Sequence, residues 1–404
     1  MEFVVDNIKQ VENPISELVE IAEKLKKNGE DVLNLGIGDP ARYMKTPKFI
    51  ISAYIEALKT GRTFYEDWDG NIKLKNSVKV RYHDLYNVEY SEDDIILTQG
   101  VSEALQFTNT SILKKGETAL IIAPFFTQYL PNIVMEGAVP IFGYHDFSKD
   151  WDIDIESIEN ALKLYKKNKP KYILVTNPNN PTGTVPSEKS LKEVVELAKD
   201  NDIFLISDEI YDELLFNNAN FTSMSKVAKN TPYMILNGAS KNLFATGFRV
   251  GFCIIPEDDK KSTELKQAVS MLANSRLSAN TPAEYAVAEG VSNKAERKKF
   301  LSDVLPRIQK TSNFAHKLCN ESNFLEAVKP NSAFYIFPRI NLDSLKIKND
   351  KEFTELLLKE EHLQTIRGSG FGMNGFIRLV TLPKEEIIED AFSRIERFCK
   401  KHKK

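Results

Sequence analysis

Lys241 lies in the stretch Asn237-Gly238-Ala239-Ser240-Lys241-Asn242-Leu243-Phe244-Ala245-Thr246-Gly247-Phe248-Arg249-Val250-Gly251, directly after the apolar run Met234-Ile235-Leu236. A lysine desolvated at a strand end gives up its proton more readily, and the neutral amine is a nucleophile that forms Schiff bases with carbonyl compounds. Most lysines are solvated surface charges, so it is the setting of Lys241, not its residue type, that makes it a candidate. Further along the same stretch, Arg249 offers a planar guanidinium that can grip a phosphate with two parallel N–H donors.

Four more polar stretches adjoin or interrupt apolar runs. After Ile95-Ile96-Leu97 comes Thr98-Gln99-Gly100-Val101-Ser102-Glu103, a glycine turn into a helix start. Its exposed backbone N–H groups suit a phosphate, or it is an ordinary helix with Ser102 in its first turn. After Tyr172-Ile173-Leu174-Val175 comes Asn177-Pro178-Asn179-Asn180-Pro181-Thr182-Gly183, whose two Asn-Pro steps demand a rigid loop. After Phe204-Leu205-Ile206 comes Ser207-Asp208-Glu209-Ile210-Tyr211, where Asp208 either caps a helix or holds a protonated heterocycle nitrogen. Gly375-Phe376-Ile377-Arg378-Leu379-Val380-Thr381 places an arginine inside an apolar run. A buried arginine requires an anion, either a carboxylate of the protein or that of a substrate.

These stretches need a scaffold that gathers them. From Asp94 to Ile255, short continuous apolar runs, among them also Ala119-Leu120-Ile121-Ile122 and Phe252-Cys253-Ile254-Ile255, alternate with amphipathic segments. That pattern predicts an α/β fold with a mostly parallel sheet between helices, and its ligand crevice lies beyond the carboxyl ends of the strands. Ser187 to Lys199 is the clearest helix, capped by Ser187 and burying Leu191, Val194, Val195 and Ala198. Ile15 to Lys27, Ala283 to Leu318, Lys351 to His362 and Lys384 to Lys401 also read as helices, with few strands among them. They predict a smaller α+β domain built from both termini: 1–45 and 285–404, around a large domain of 46–284.

Composition excludes other classes. The chain has 404 residues, 54 Lys+Arg and 57 Asp+Glu, so no net field recruits nucleic acid or an anionic membrane. The basic end Lys400-Lys401-His402-Lys403-Lys404 is a solvated terminus. Cys253, Cys319 and Cys399 are odd in number and far apart, which encodes neither a disulfide framework nor a metal site and fits a reducing compartment. Met1 is followed by Glu2 and Asp6 rather than a basic stretch, and no run reaches the roughly 18 apolar residues of a membrane span, so the expectation is cytoplasmic. Gly36-Ile37-Gly38 is not a dinucleotide fingerprint, because Pro40 follows at once and no strand-glycine-helix unit encloses it.

Taken in order, Asn-Pro-x-Asn-Pro-Thr-Gly, Asp-Glu-x-Tyr and Ser-Lys-x-x-x-x-x-Gly-x-Arg-x-Gly resemble the class I/II aminotransferases of the aspartate aminotransferase fold, pyridoxal-phosphate transferases of fold type I. The likeness runs from about Pro14 to the C-terminal helix. It implies that Lys241 holds pyridoxal 5'-phosphate as a Schiff base and shuttles the α-proton. Asp208 would pair with the pyridinium nitrogen, and Asn180 and Tyr211 would bond the phenolic oxygen. Gly100, Val101, Ser102, Ser240 and Arg249 would hold the phosphate, with Phe126 stacked on the ring. Arg378, helped by the Gly38 backbone, would bind the substrate α-carboxylate. Tyr65 would reach the phosphate of a neighbouring subunit, which implies a homodimer with shared sites.

Within the family, Asn237-Gly238-x-Ser240-Lys241, Arg276-Leu277-Ser278-Ala279-Asn280-Thr281-Pro282, Ala333-Phe334-Tyr335-Ile336-Phe337-Pro338 and Arg378-Leu379-Val380-Thr381-Leu382-Pro383 look most like alanine (glutamate–pyruvate) aminotransferases. The implied activity is a ping-pong transfer between an L-amino acid, alanine or aspartate, and 2-oxoglutarate or pyruvate. Arg276 is the candidate for a distal substrate carboxylate, the alternative being a structural arginine. Departures from the pattern are Gly238 for a phosphate-binding serine, Phe126 for tyrosine, Thr127 for proline and Arg367 for an apolar residue. A lyase or cyclase of the same fold is the alternative enzyme class. A ligand-sensing module of a transcription regulator would need a DNA-binding domain, for which there is no room before Pro14.

Overall fold

Within the strand Ile95–Thr98, Ile95 and Leu97 join one apolar cluster while Ile96 joins another, so both faces of the strand are covered. The same division holds for Leu120 and Ile122 against Ala119 and Ile121, and for Ile173 and Val175 against Tyr172 and Leu174. Successive side chains of a strand point to opposite faces, and an unbroken apolar run is therefore a strand sandwiched between helices. The computed structural model describes residues 6–11, 13–257 and 259–404; Met1 and Glu2, read above for a leader, lie outside them.

Eight strands form the central sheet, in the spatial order Ile95–Thr98, Gly251–Ile254, Tyr233–Gly238, Phe204–Asp208, Tyr172–Thr176, Thr118–Ala123, Val139–Asp146 and Asp152–Asp154. The pairings from Tyr233–Gly238 to Val139–Asp146 are parallel, and those at both ends are antiparallel. Val139–Asp146 and Asp152–Asp154 were not expected. The first carries Pro140, Gly143 and His145 and is only partly buried, and the second has one apolar residue, Ile153. Neither presents an apolar run.

The helix Glu188–Asn201 starts where expected, with the Ser187 side chain accepting the Ser190 N–H at 3.1 Å. The pattern from Ala283 to Leu318 is two helices rather than one, Thr281–Ser292 and Lys294–Glu321. Asn293 separates them because its side chain accepts the Glu296 N–H at 3.2 Å and caps the second. The helix expected from Ile15 to Lys27 is shorter, Val19–Lys27, since residues 14–18 form turns, and a single helical turn at Asp6–Lys9 precedes it.

The chain ends build a second layer with small sheets of its own. Leu33–Asn34 pairs in parallel with Leu363–Gln364, tying the start of the chain to its end. Ile377–Val380 lies between Tyr335–Ile336 and Ile366–Arg367, antiparallel to both. The helix Glu385–Lys401 buries Ile388, Phe392, Ile395 and Phe398 in the cluster beneath these strands. Arg378 therefore sits in a central strand whose side chains are all buried. Among the described residues, no helix is long and apolar enough to cross a membrane.

Candidate active site

A cavity of about 360 Å³ opens where the parallel strands end. Thr176 and Asp208 line it from the strand ends, Val101, Ser102, Ser240 and Lys241 from the helix starts that follow, Phe126 from a loop, and Ile37, Gly38, Asp39, Tyr335 and Arg378 from the second layer. The crevice is thus at the carboxyl edge, as the fold requires.

Asp208 ends its strand and is fully enclosed. The Tyr129 hydroxyl donates to its Oδ2 at 2.7 Å and the Ile210 N–H to its Oδ1 at 3.3 Å. Burial pushes the carboxyl up to about 6, against the pull of those two bonds and of the Lys241 charge. A partner bearing a positive N–H would relieve that burial.

Lys241 lies on the short helix Ala239–Asn242, and its Nζ donates to the Gly38 carbonyl at 2.7 Å. Burial brings its ammonium down to about 8; Asp39 opposes the shift, and Arg378 and Arg249 reinforce it.

Gly100 stands at φ 76° ahead of the helix Val101–Ile112, whose N-terminus no side chain caps. A Cβ on Gly100 would lie 2.6 Å from Arg249 Nη2, so glycine lets the guanidinium close on the helix end. Arg249 is held there by the Thr246 carbonyl at 3.1 Å and the Gln99 carbonyl at 3.3 Å. Helix N–H groups, Ser102, Ser240 and a fixed guanidinium make a cradle for a dianion. Gly238, noted above as a departure from the family pattern, has no room for a side chain: a Cβ there would fall 2.7 Å from the Val250 carbonyl.

Arg378 is 1% exposed, yet no carboxylate among the described residues pairs with it. Its Nη1 donates to Asn180 Oδ1 at 3.0 Å and its Nη2 to the Gly36 carbonyl at 2.5 Å, while Nε has no partner. Its guanidinium lies over the rings of Tyr335 and Phe371, at 4.6 and 4.9 Å from their centroids. The hydroxyls of Tyr335 and Tyr211 are hydrogen bonded at 2.9 Å. A buried cation without a protein anion is poised for an anion from outside.

The sequence profile described as aminotransferase class I and II matches residues 30–395. The chain belongs to the class I and II aminotransferases. It is 29% identical to the aspartate aminotransferase of Bacillus subtilis, over 94% of each chain. It is also 29% identical to the glutamate-pyruvate aminotransferase of Escherichia coli, over 93% of this chain and 92% of that one. The solved alanine aminotransferase of Pyrococcus furiosus superposes with a TM-score of 0.93 at 33% identity, covering 99% of this chain and 100% of that one. This aminotransferase therefore depends on pyridoxal phosphate and moves an amino group between an amino acid and a 2-oxo acid. The lyase or cyclase alternative is not favoured by these relatives.

The residues of the aminotransferase fit that cofactor. The uncapped helix end beside Arg249 suits its phosphate, the enclosed Asp208 its ring nitrogen, and the desolvated Lys241 its aldehyde. Gly38 has a reason of its own, since a Cβ there would lie 2.1 Å from the Tyr335 hydroxyl oxygen.

Three expected site residues of the aminotransferase do not line this cavity: Gly100, which stands just behind Val101 against Arg249, Tyr65 and Arg276. Tyr65 is 78% exposed on the loop after the helix Lys48–Lys59. Arg276, at the end of the helix Lys260–Arg276, donates to the carbonyls of Trp68 and Leu97 at 3.0 and 3.3 Å. Conversely, Tyr129, Thr176, Asp39, Thr246 and Tyr335 line the cavity without having been given a role from the sequence. Of these, Thr246 and Tyr335 stood in stretches quoted from the sequence. Tyr129 follows Phe126 by three residues, where the helix Tyr129–Met135 begins.

Proposed function

We propose that this aminotransferase exchanges the amino group of alanine or aspartate with 2-oxoglutarate or pyruvate, as a homodimer with shared sites. The observation that carries the reading is a buried Arg378 that pairs with no carboxylate among the described residues, in one cavity with a desolvated Lys241 and an enclosed Asp208. The names of the relatives support the choice of substrates, and the apolar Ile15 and Ile37 in the wall suit a short side chain.

Bound there, pyridoxal phosphate supplies the electron sink that lets an amino acid lose its α-proton. Arg378 would take the α-carboxylate in a fork, and the Gly38 backbone would close over it. Asp208 would keep a proton on the ring nitrogen, steadied by Tyr129. Asn180 and Tyr211 would hold the phenolic oxygen. Gly100, Val101, Ser102, Ser240 and Arg249 would grip the phosphate, and Phe126 would cover the ring. Lys241 Nζ would anchor the cofactor, and then take the α-proton and return it to the other carbon.

A second copy is supported by Ile51, Ile55 and Leu58, exposed on one helix, and by exposed Phe64, Tyr65 and Met271. Tyr65 would reach the partner's phosphate. The division into 1–45, 46–284 and 285–404 is supported by the sheets, since all eight large-sheet strands fall within 95–254. A cytoplasmic setting is supported by three cysteines that are all buried and free.

The test is to mix the purified protein with single amino acids and follow the cofactor absorbance. Alanine or aspartate should convert it fastest, giving the 2-oxo acid and pyridoxamine phosphate. Release of pyruvate with a thiol from a cysteine conjugate, without pyridoxamine phosphate, would overturn the reading. Mixed dimers of Lys241→Ala and Tyr65→Phe should gain activity over either parent if sites are shared.

A further inference from the structure

One short stretch of chain, 276–285, holds the loop between the helices Lys48–Lys59 and Ile72–Tyr86 at four points. The Arg62 guanidinium lies over the Tyr285 ring, 4.9 Å from its centroid. The Phe64 carbonyl accepts the Thr281 hydroxyl at 2.9 Å, and the Trp68 carbonyl accepts Arg276 Nη2 at 3.0 Å. The Asn71 N–H donates to the buried Glu284 carboxylate at 3.0 Å. From beneath, the Leu97 N–H donates to the Asp69 carbonyl at 2.9 Å, and Gly70, at φ 105°, leaves no room for a Cβ against Leu97. Tyr65, more exposed at 78% than the other aromatics of this loop, stands between the Phe64 and Trp68 anchors.

Loop backbone that only met water would need no such bracing, and free loops fray at little cost. Arg276 meanwhile has its Nη2 shared between two backbone carbonyls and its Nη1 at 3.6 Å from Glu103. Its Nε and Nη1 have no hydrogen-bond partner, but Nη2 is held by the two carbonyls and the side chain lies outside the lining of the active-site cavity, so the guanidinium is directed at the loop.

We infer that the stretch Arg276–Tyr285 is a frame that fixes the loop Arg62–Asn71 and thereby aims Tyr65, so that Arg276 is a positioning residue and not a substrate-carboxylate ligand. The inference rests on the proposed reach of Tyr65 into a partner's site for its consequence, but the frame itself is testable without it.

The experiment is hydrogen exchange of the holoenzyme combined with single-turnover half-reactions. Arg276→Ala should raise exchange across 62–71 by about tenfold or more, as expected for a lost charge-assisted bond, and leave the central sheet unchanged. It should slow the half-reactions with pyruvate and 2-oxoglutarate by the same factor, and Arg276→Lys, which can still reach one carbonyl, should restore part of both. Thr281→Ala, which removes the Phe64 anchor, should act in the same direction and serves if Arg276→Ala does not fold. Unchanged exchange in the loop, or a loss confined to 2-oxoglutarate, would overturn the inference. If exchange rises as expected but Tyr65→Phe leaves cofactor retention unaltered, the frame stands and the assignment of Tyr65 falls.

Discussion

Lys241 must be neutral to attack an aldehyde, and the structure brings its ammonium down to about 8, chiefly by burial. At pH 7 about one molecule in ten then carries the free amine, against about one in 2,500 for an ordinary lysine near 10.4, a difference of about 200-fold. Covalent capture of pyridoxal phosphate by the apoprotein, trapped with borohydride and corrected for the same reaction with a free lysine derivative, should therefore rise about tenfold per pH unit below 8 and level off above it. The sign follows from the base: raising pH through its pKa removes the proton and exposes the nucleophile. Asp39→Asn removes the carboxylate that favours the ammonium and should move the inflection below 8. Arg249→Met removes a repelling cation and should move it above 8. A rate that climbs without a break to pH 10, or an inflection indifferent to both substitutions, would refute the assignment of the shift to the cavity.

Lys241→Ala should abolish covalent capture and slow transamination by several orders of magnitude, read by single-turnover absorbance. Asp208→Asn should cripple the half-reaction yet stabilise the apoprotein. The carboxyl, at about 6 in the fold against about 3.9 unfolded, costs about 2–3 kcal/mol above pH 6. That gain, measured by urea unfolding, should shrink as pH falls from 6 toward 4, and a gain independent of pH would contradict it. Arg378→Leu should weaken every amino and 2-oxo acid alike, because all present the same carboxylate, and a substrate-selective effect would remove Arg378 from that role.

The parts of this enzyme that were legible in the sequence are those where burial and chemistry follow directly on one another along the chain. Asp208 and Lys241 stand at the ends of apolar runs, and Arg378 interrupts one, so their types clash with their neighbours and draw notice. Tyr129 and Tyr335 do not clash, since an aromatic in an apolar segment looks like core, and only the fold reveals that their hydroxyls meet Asp208 and Tyr211. The strands Val139–Asp146 and Asp152–Asp154 were missed because a partly buried strand need not be apolar. The break at Asn293 was missed because a capping asparagine and a mid-helix asparagine are alike in sequence and differ only in which backbone N–H they find.

Four hydrogen bonds span the cavity between the sheet layer and the layer made by the chain ends: Lys241 to Gly38 at 2.7 Å, Arg378 to Asn180 at 3.0 Å, Tyr211 with Tyr335 at 2.9 Å and Thr246 to Asp39 at 2.8 Å. Two of these bonds belong to the groups proposed to do the work, Lys241 and Arg378. Each is bonded to a neutral oxygen, a weaker partner for a cation than a carboxylate or phosphate. A carboxylate should therefore displace the Arg378 bond with a net gain where a neutral ligand would exchange like for like, whereas Lys241 would give up the Gly38 carbonyl on bonding the cofactor's aldehyde. The other two bonds involve no cation and can stay in place, so they keep the two layers in register during the exchange. Selectivity for carboxylate-bearing substrates would thus come from the neutral oxygens that Arg378 holds beforehand as much as from its charge.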